Sequence, residues 1–153
     1  MNEIFKKLNF KDQKTIHVLN APESFLPVLA EMESITKVKS QIEENEAIDF
    51  VIAFVTKQNE VDNYAEKTAK ALESDGVVWF CYPKGTSKKY KCDFNRDTGW
   101  QMLGKLGFEG VRQVAIDQDW SALRFRRVEY IKQMKREEVR AMTTEGKEKV
   151  KKK

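Results

Sequence analysis

The sequence is short of the residue types from which catalytic and metal sites are most often built. Its 153 residues include one histidine, two cysteines, three prolines and seven glycines. A single histidine excludes a metal site built on several imidazoles, and the two cysteines do not have the spacing of zinc ligands. They are also too few for a disulfide framework. The sequence therefore predicts no catalytic constellation, no metal site and no bound cofactor.

Long apolar runs are also absent. No stretch of eighteen apolar residues is present, which is the length that a membrane-spanning helix needs. The first seven residues lack the charged-then-apolar layout of a secretory signal. Together with the small number of cysteines, these absences predict a soluble protein of the reducing cytoplasm, without a membrane partner.

The net charge of +4 is concentrated at the C-terminus. Residues 135–153 contain eight basic and four acidic side chains, whereas the whole chain has 28 basic and 24 acidic ones. The remaining residues therefore carry 20 of each sign and are electroneutral as a group. The basic pI is a property of the tail, which weakens the argument that the rest of the chain is a nucleic-acid surface.

Two nearly continuous apolar runs, residues 48–55 and 77–82, predict buried central strands. Such strands are covered on both faces, which is typical of a parallel sheet between helices. The β-branched stretch 15–20 predicts a first strand, and residues 35–38 predict a short edge strand. Further along, the alternating stretches 111–117 and 121–128 predict an antiparallel hairpin.

Helices are predicted between these strands. Apolar residues at helical spacing favour one over residues 60–74, with Gly76 as its C-terminal cap. A basic loop over residues 84–92 leads to another helix, for which Asp93 or Asn95 is the predicted N-cap. The same pattern favours a helix that starts near Ser24 and a short helix near the N-terminus. Trp100, Leu103 and Leu106 are the predicted buried side of the helix after the basic loop, and Gly107 closes it.

This order of elements predicts an α/β fold, a three-layer Rossmann-like sandwich. Its sheet is mostly parallel and ends in a C-terminal antiparallel hairpin. We expect a helical extension over residues 1–13, the Rossmann-like domain over residues 14–128, and a basic, partly helical or disordered tail over residues 129–153.

The second half of the pattern is similar to the closing part of class I methyltransferases. There, a strand like residues 49–53 precedes a helix and a strand like residues 76–80, and a helix and hairpin complete the fold. Their cofactor lies over a glycine-rich turn after the first strand, because glycine lets the backbone approach it closely. Here that turn, residues 20–24, has no glycine, and no acidic residue closes the second strand at residues 38–40. The chain is also about one β-α unit short.

Three stretches resemble a bacterial family of small Rossmann-like proteins classed as a domain of unknown function. These are the strand and turn at 19–23, the strand end at 82–85, and the hairpin at 115–125. The resemblance covers residues 14–128 and implies the same fold, but it implies no activity.

Ligands of doubly wound sheets bind at the carboxyl ends of the parallel strands. The loop after the strand at 77–82 is locally positive and offers backbone and hydroxyl donors to an anion. Trp120 in the hairpin turn is a candidate lid. The predicted ligand-binding residues are Asn20, Ser24, Lys84, Gly85, Thr86, Ser87, Lys88 and Trp120.

Other candidates have simpler explanations. His17 lies in the middle of a strand and is either a catalytic group or a hydrogen-bonded structural residue. Cys92 is next to lysines. Their positive charge would lower the pKa of its thiol, which makes Cys92 a candidate nucleophile. Asp117 and Asp119 fit hydrogen-bonding roles in a turn.

The leading hypothesis is a non-catalytic Rossmann-like module that binds a small anionic ligand or a protein partner. A pared-down methyltransferase-like enzyme is one alternative. The other is a nucleic-acid-binding accessory protein that acts through the basic tail, with strongly salt-dependent binding.

Overall fold

The computed structural model describes residues 2–94 and 98–134 of the chain. Helices and strands alternate through most of this length, with a 3₁₀ turn at Glu23–Phe25. In chain order the elements are α1 (Glu3–Lys7), β1 (Thr15–Leu19), α2 (Leu26–Met32), β2 (Lys37–Lys39), β3 (Ile48–Phe54), α3 (Gln58–Ala71), β4 (Leu72–Pro83), α4 (Gln101–Lys105), β5 (Phe108–Ala115), β6 (Trp120–Arg127) and α5 (Val128–Met134).

The strands form one six-stranded sheet in the order β2-β1-β3-β4-β6-β5. Strands β2, β1, β3 and β4 are mutually parallel, and β6 runs antiparallel to both β4 and β5. The predicted Rossmann-like α/β sandwich with a C-terminal antiparallel hairpin is confirmed. Because β1 is flanked by β2 on one side and β3 on the other, the switch point of the sheet lies between the carboxyl ends of β1 and β3.

Hydrophobic cores lie on both faces of the sheet. On one face α1 and α2 pack against the sheet around Phe5, Phe50 and Trp79. On the opposite face α3 and α4 pack around residues that include Phe80 and Leu103. Every residue of β3 except Asp49 is buried, which is why this strand appears in the sequence as a continuous apolar run.

The N-terminal segment is fastened to the centre of the sheet. The indole Nε1 of Trp79 donates a 2.8 Å hydrogen bond to the carbonyl oxygen of Leu8. The ring of Phe5 stacks on Phe50 with their centroids 5.9 Å apart, and Phe10 meets Phe50 edge-on at the same separation. Asn2 caps α1 because its Oδ1 accepts a 2.8 Å hydrogen bond from the backbone N–H of Ile4.

The predicted end of the long helix is wrong. Helix α3 stops at Ala71, and Leu72 is already extended and paired with Ile48 at the start of β4. Gly76 is therefore a strand residue and no helix cap. A Cβ there would lie 2.5 Å from the Cδ1 atom of Leu72, so that side chain would have to move.

The predicted N-cap of the next helix is also wrong. Helix α4 begins at Gln101, and Asp93 instead accepts a 3.2 Å hydrogen bond from the backbone N–H of Gln58, at the start of α3. Asn95, the alternative cap, lies outside the described residues. Leu103 is fully buried, as expected, and Gly107 closes the helix with a left-handed φ of +90°.

The edge strand and the C-terminal part differ in detail from expectation. Strand β2 is displaced along the chain from the predicted residues 35–38, and Ile35 is 54% exposed. Helix α5 is the beginning of the predicted tail, and residues 135–153 lie outside the described part. The division into extension, domain and tail stays a prediction. Within residues 2–94 and 98–134, no helix is long and apolar enough to cross a membrane.

Candidate functional site

The switch point is closed by a tight turn after β1. Asn20 has a left-handed φ of +60°, a conformation that asparagine tolerates better than most residues. Its Nδ2 donates to the carbonyl oxygen of Phe54 at 3.0 Å and lies 3.4 Å from Oε2 of Glu60. The side chain of Asn20 thus joins the ends of β1 and β3 to α3.

Glu60 fills the other half of the switch point. Its Oε1 accepts hydrogen bonds from the backbone N–H groups of Thr56, at 2.8 Å, and Lys57, at 3.2 Å. A helix N-terminus is where a Rossmann-like fold usually holds an anionic ligand. In this chain the carboxylate of Glu60 takes the two N–H groups just before α3 and adds a negative charge there, and the N–H of Gln58 at the start of the helix donates to Asp93. Sequence reasoning missed this role because the N-cap residue is Lys57, whereas the capping-box signature has Ser or Thr at that position.

The basic loop after β4 is ordered by the turn between β5 and β6. The backbone N–H of Lys84 donates to the carbonyl oxygen of Asp119 at 2.8 Å, and the backbone N–H of Ser87 donates to the carbonyl oxygen of Lys84 at 3.0 Å. The hydroxyl of Ser87 donates to Oδ1 of Asp119 at 2.8 Å and accepts from the backbone N–H of Tyr90 at 3.1 Å. Ser87 therefore shapes the loop and has little capacity left for a ligand.

Asp117 stabilises the same turn from the other side. Its Oδ1 accepts hydrogen bonds from the backbone N–H groups of Asp119, at 2.8 Å, and Trp120, at 2.9 Å. The turn role predicted for these aspartates is confirmed. Asp117 therefore stabilises the turn, and Asp119 stabilises the basic loop through its hydrogen bond with Ser87.

A cleft of about 780 Å³ opens between this loop and the sheet face that carries α3 and α4. The rings of Tyr82, Tyr90 and Phe94 form its apolar part, and Nε2 of Gln113 donates to the hydroxyl of Tyr82 at 2.9 Å across it. The described lining residues are Tyr82, Pro83, Lys84, Gly85, Thr86, Ser87, Tyr90, Lys91, Cys92, Phe94, Gln113 and Ser121.

The structure separates the predicted ligand-binding residues into groups. The loop residues from Lys84 to Ser87 line the cleft, whereas Lys88 is exposed and is not among its lining residues. Asn20 lies at the switch point, and Ser24 is exposed in the 3₁₀ turn. These two do not join the loop residues around one cavity.

Trp120 lies on the other face of the sheet from the cleft. Trp120 is 3% exposed, and its ring packs against Phe54 and Tyr90 with centroid separations of 5.1 and 4.9 Å. In this position Trp120 belongs to the core beside α2 and does not cover the cleft as a lid. Tyr90 connects the two, since it contacts Trp120 and also lines the cleft.

His17 and Cys92 lie in different surroundings, His17 within the sheet and Cys92 at the cleft. The ring of His17 is buried, and its Nε2 lies 3.0 Å from Oε2 of Glu46, which also accepts from Nζ of Lys39 at 2.9 Å. The lowered pKa expected for Cys92 is wrong, because partial burial raises the pKa of its thiol and the charge of Asp93 adds to this. Among residues 2–94 and 98–134, no group of three or more metal-ligating side chains comes together.

Comparison with solved structures shows similarity to methyltransferases in fold. The chain superposes on a SAM dependent methyltransferase from Aquifex aeolicus with a TM-score of 0.60 and 13% identity, covering 81% of this chain and 87% of that one. A ribosomal protein L11 methylase from Lactobacillus delbrueckii subsp. bulgaricus gives 0.53 and 13%, covering 81% and 74%. The pyocyanin biosynthetic protein PhzM gives 0.52 and 12%, and the match covers 82% of this chain but 53% of that one.

No family model matches the chain, and no curated protein does. The resemblance to a bacterial family of unknown function therefore stays a prediction. At these identities the likeness to solved structures shows the fold alone. The chain has a Rossmann-like sheet of the kind found in methyltransferases.

Proposed function

We propose that this chain is a Rossmann-like module that binds a small anionic ligand with an apolar or aromatic body in the cleft beside Lys84. The observation that carries the proposal is a contrast between two places at the carboxyl ends of the parallel strands. At the switch point the side chains of Asn20 and Glu60 are bonded to the strand ends themselves. At the end of β4, an open cleft is lined by three rings and two lysines.

The lining of the cleft fits such a ligand. Its volume falls within the range of small-molecule sites, about 300–1,000 Å³. Aromatic faces bury an apolar body, and the ammonium groups of Lys84 and Lys91 attract a negative charge. Between them the hydrogen-bonded pair of Gln113 and Tyr82 supplies a polar group inside the cleft.

Cys92 offers a built-in probe of occupancy. Its side chain lines the cleft and is partly buried, whereas Cys81, the other cysteine of the chain, is fully buried in the core. The rate at which a thiol reagent modifies Cys92 should therefore fall when a ligand fills the cleft. We expect protection of several-fold from at least one member of a panel of nucleoside monophosphates, sugar phosphates and aromatic carboxylates.

A matched pair of variants locates the effect. Lys84→Ala removes a lysine that lines the cleft, and Lys88→Ala removes one from the same loop that does not. Protection should weaken in the first variant and persist in the second. No protection by any ligand of the panel, or equal weakening in both variants, contradicts the proposal.

The second candidate is a pared-down methyltransferase. It is favoured by the strand order and by the left-handed backbone at Asn20, which keeps the tight turn after β1 without glycine. Calorimetric titration with S-adenosylmethionine tests it. Because Glu60 and Asn20 fill the switch point, we expect no heat of binding, and a saturable heat that is lost on mutation of the turn after β1 would favour this candidate instead.

A further inference from the structure

Three arginines lie together on the face of the sheet opposite the cleft. Strand β6 alternates, and Leu123 and Phe125 belong to the core beside α3 and α4. Arg124 and Arg126 therefore point towards the face that carries α1. On the neighbouring strand β5, Arg112 is the direct cross-strand partner of Arg124. Directly opposed residues of an antiparallel pair share a face, with their Cα atoms about 4.5–5.5 Å apart.

Two carboxylates lie near these arginines: Asp75, which pairs with Arg126, and Glu109, which is buried and is the direct cross-strand partner of Arg126. Asp75 accepts from Nε of Arg126 at 3.0 Å and from Nη2 of the same guanidinium. Within the described part of the chain, neither Arg112 nor Arg124 has a carboxylate partner. The Nε atom of Arg124 is buried and makes no hydrogen bond to any described residue.

This arrangement costs the free chain stability. Like charges directly opposite each other on a sheet are destabilising, and a buried donor without an acceptor adds to the cost. Burial, together with the charges of Arg126 and Arg112, lowers the pKa of Arg124, while Asp75 acts in the opposite direction. A group with two negative charges and several acceptor oxygens would supply acceptors to both Arg112 and Arg124.

We propose that Arg112 and Arg124 form a binding site for a phosphate dianion, either inorganic phosphate or the phosphate group of a small monoester. Guanidinium groups bind phosphate oxygens in a fixed, often bidentate geometry. A phosphate dianion neutralises both arginines, whereas one carboxylate neutralises one. Arg112 is exposed and Arg124 is partly buried, so a phosphate reaches the pair from solvent. The site is independent of the cleft beside Lys84, which opens on the other face.

Thermal unfolding of the full chain tests the site. The melting temperature is measured in chloride, in inorganic phosphate and in glycerol 3-phosphate at matched ionic strength and pH. For the unaltered chain we expect a saturable rise of about 3–6 °C at a tenfold excess over Kd. A rise with both compounds indicates that an ester is accepted, and a rise with inorganic phosphate alone restricts the site to the free ion.

Arg112→Gln should have two opposite effects. In chloride its melting temperature should be equal to or above that of the unaltered chain, because the like-charge pair is relieved, and in phosphate the rise should disappear. Lys84→Ala should keep the rise, which separates this site from the cleft. A rise that survives in Arg112→Gln contradicts the proposal. An oligonucleotide provides a second test, at equal phosphate concentration. If it stabilises the chain more than phosphate does, and if this effect also depends on Arg112, the proposal is contradicted, because the surface then binds a nucleic acid.

Discussion

Replacing Glu60 by alanine should destabilise the chain by breaking the link between β1, β3 and α3. Its carboxylate accepts from the backbone N–H groups of Thr56 and Lys57, at 2.8 and 3.2 Å. It also has weaker contacts at 3.4 Å with Asn20 and with the hydroxyl of Thr56. After truncation, two N–H groups at the start of a helix lose their acceptor.

The size of the loss follows from the type of hydrogen bond. A hydrogen bond to a charged group contributes about 1.5–3 kcal/mol, and removal of a helix cap costs about 0.5–2 kcal/mol. Glu60 is partly exposed, so water replaces part of what is lost. We therefore expect the free energy of unfolding to fall by about 2 kcal/mol in Glu60→Ala. Glu60→Gln keeps a neutral acceptor and should lose about 1 kcal/mol.

Urea unfolding followed by circular dichroism measures both losses, with Glu66→Ala as the control. Glu66 lies in the same helix and is exposed, so its replacement should change stability by less than about 0.5 kcal/mol. The reasoning is refuted if Glu60→Ala and Glu66→Ala unfold at the same urea concentration.

Three further predictions concern other parts of the fold. The pKa of Glu46 is lowered to about 2, chiefly by the hydrogen bond from a neighbouring lysine. Its stabilisation, about 1 kcal/mol, is complete above pH 4.5 and is lost as the pH falls towards 2, so urea midpoints of the unaltered chain and Glu46→Gln should converge over that range. Burial raises the thiol pKa of both cysteines. A thiol reagent should therefore modify Cys92 slowly and Cys81 only after the chain unfolds, and mass spectrometry measures both reactions. Gly99 has φ +91° and no room for a Cβ, so Gly99→Ala should lower the melting temperature by several degrees, whereas Gly104→Ala, in open space within α4, should raise it by about 1–3 °C.

Much of the fold could be predicted because the strands differ in how they are buried. The apolar runs that became β3 and β4 are buried on both faces, and the alternating runs that became β5 and β6 pair as a hairpin. The end of α3 could not be predicted in this way. Residues after Ala71 keep some helical periodicity, but the pairing of Leu72 with Ile48 takes them into the sheet. Whether these residues extend the helix or join the sheet is therefore decided by a contact with a distant part of the chain.

The sequence could indicate residues of the candidate site only where they directly follow the end of a predicted strand. The rule that ligands bind at strand ends predicts a site at the loop containing Lys84, and a cleft does open beside this loop. It did not identify Tyr82 and Gln113, which strand register brings together, or Phe94, which comes from the loop before α4. Register also decides the outcome for Trp120, since its pairing with Pro83 places it on the face away from Tyr82.

The attachment of the N-terminal segment to Trp79 bears on the order in which the chain can fold during synthesis. Leu8 leaves the ribosome well before the indole that binds its carbonyl oxygen, which is 71 positions further along. Until β4 has been made, the apolar side chains of Phe5, Leu8 and Phe10 have no complete sheet to cover. Contacts of such large sequence separation slow folding, because a long loop must close before they form. The segment around Leu8 is therefore expected to reach its final place after the sheet that it covers has been made, and its apolar side chains stay exposed until then.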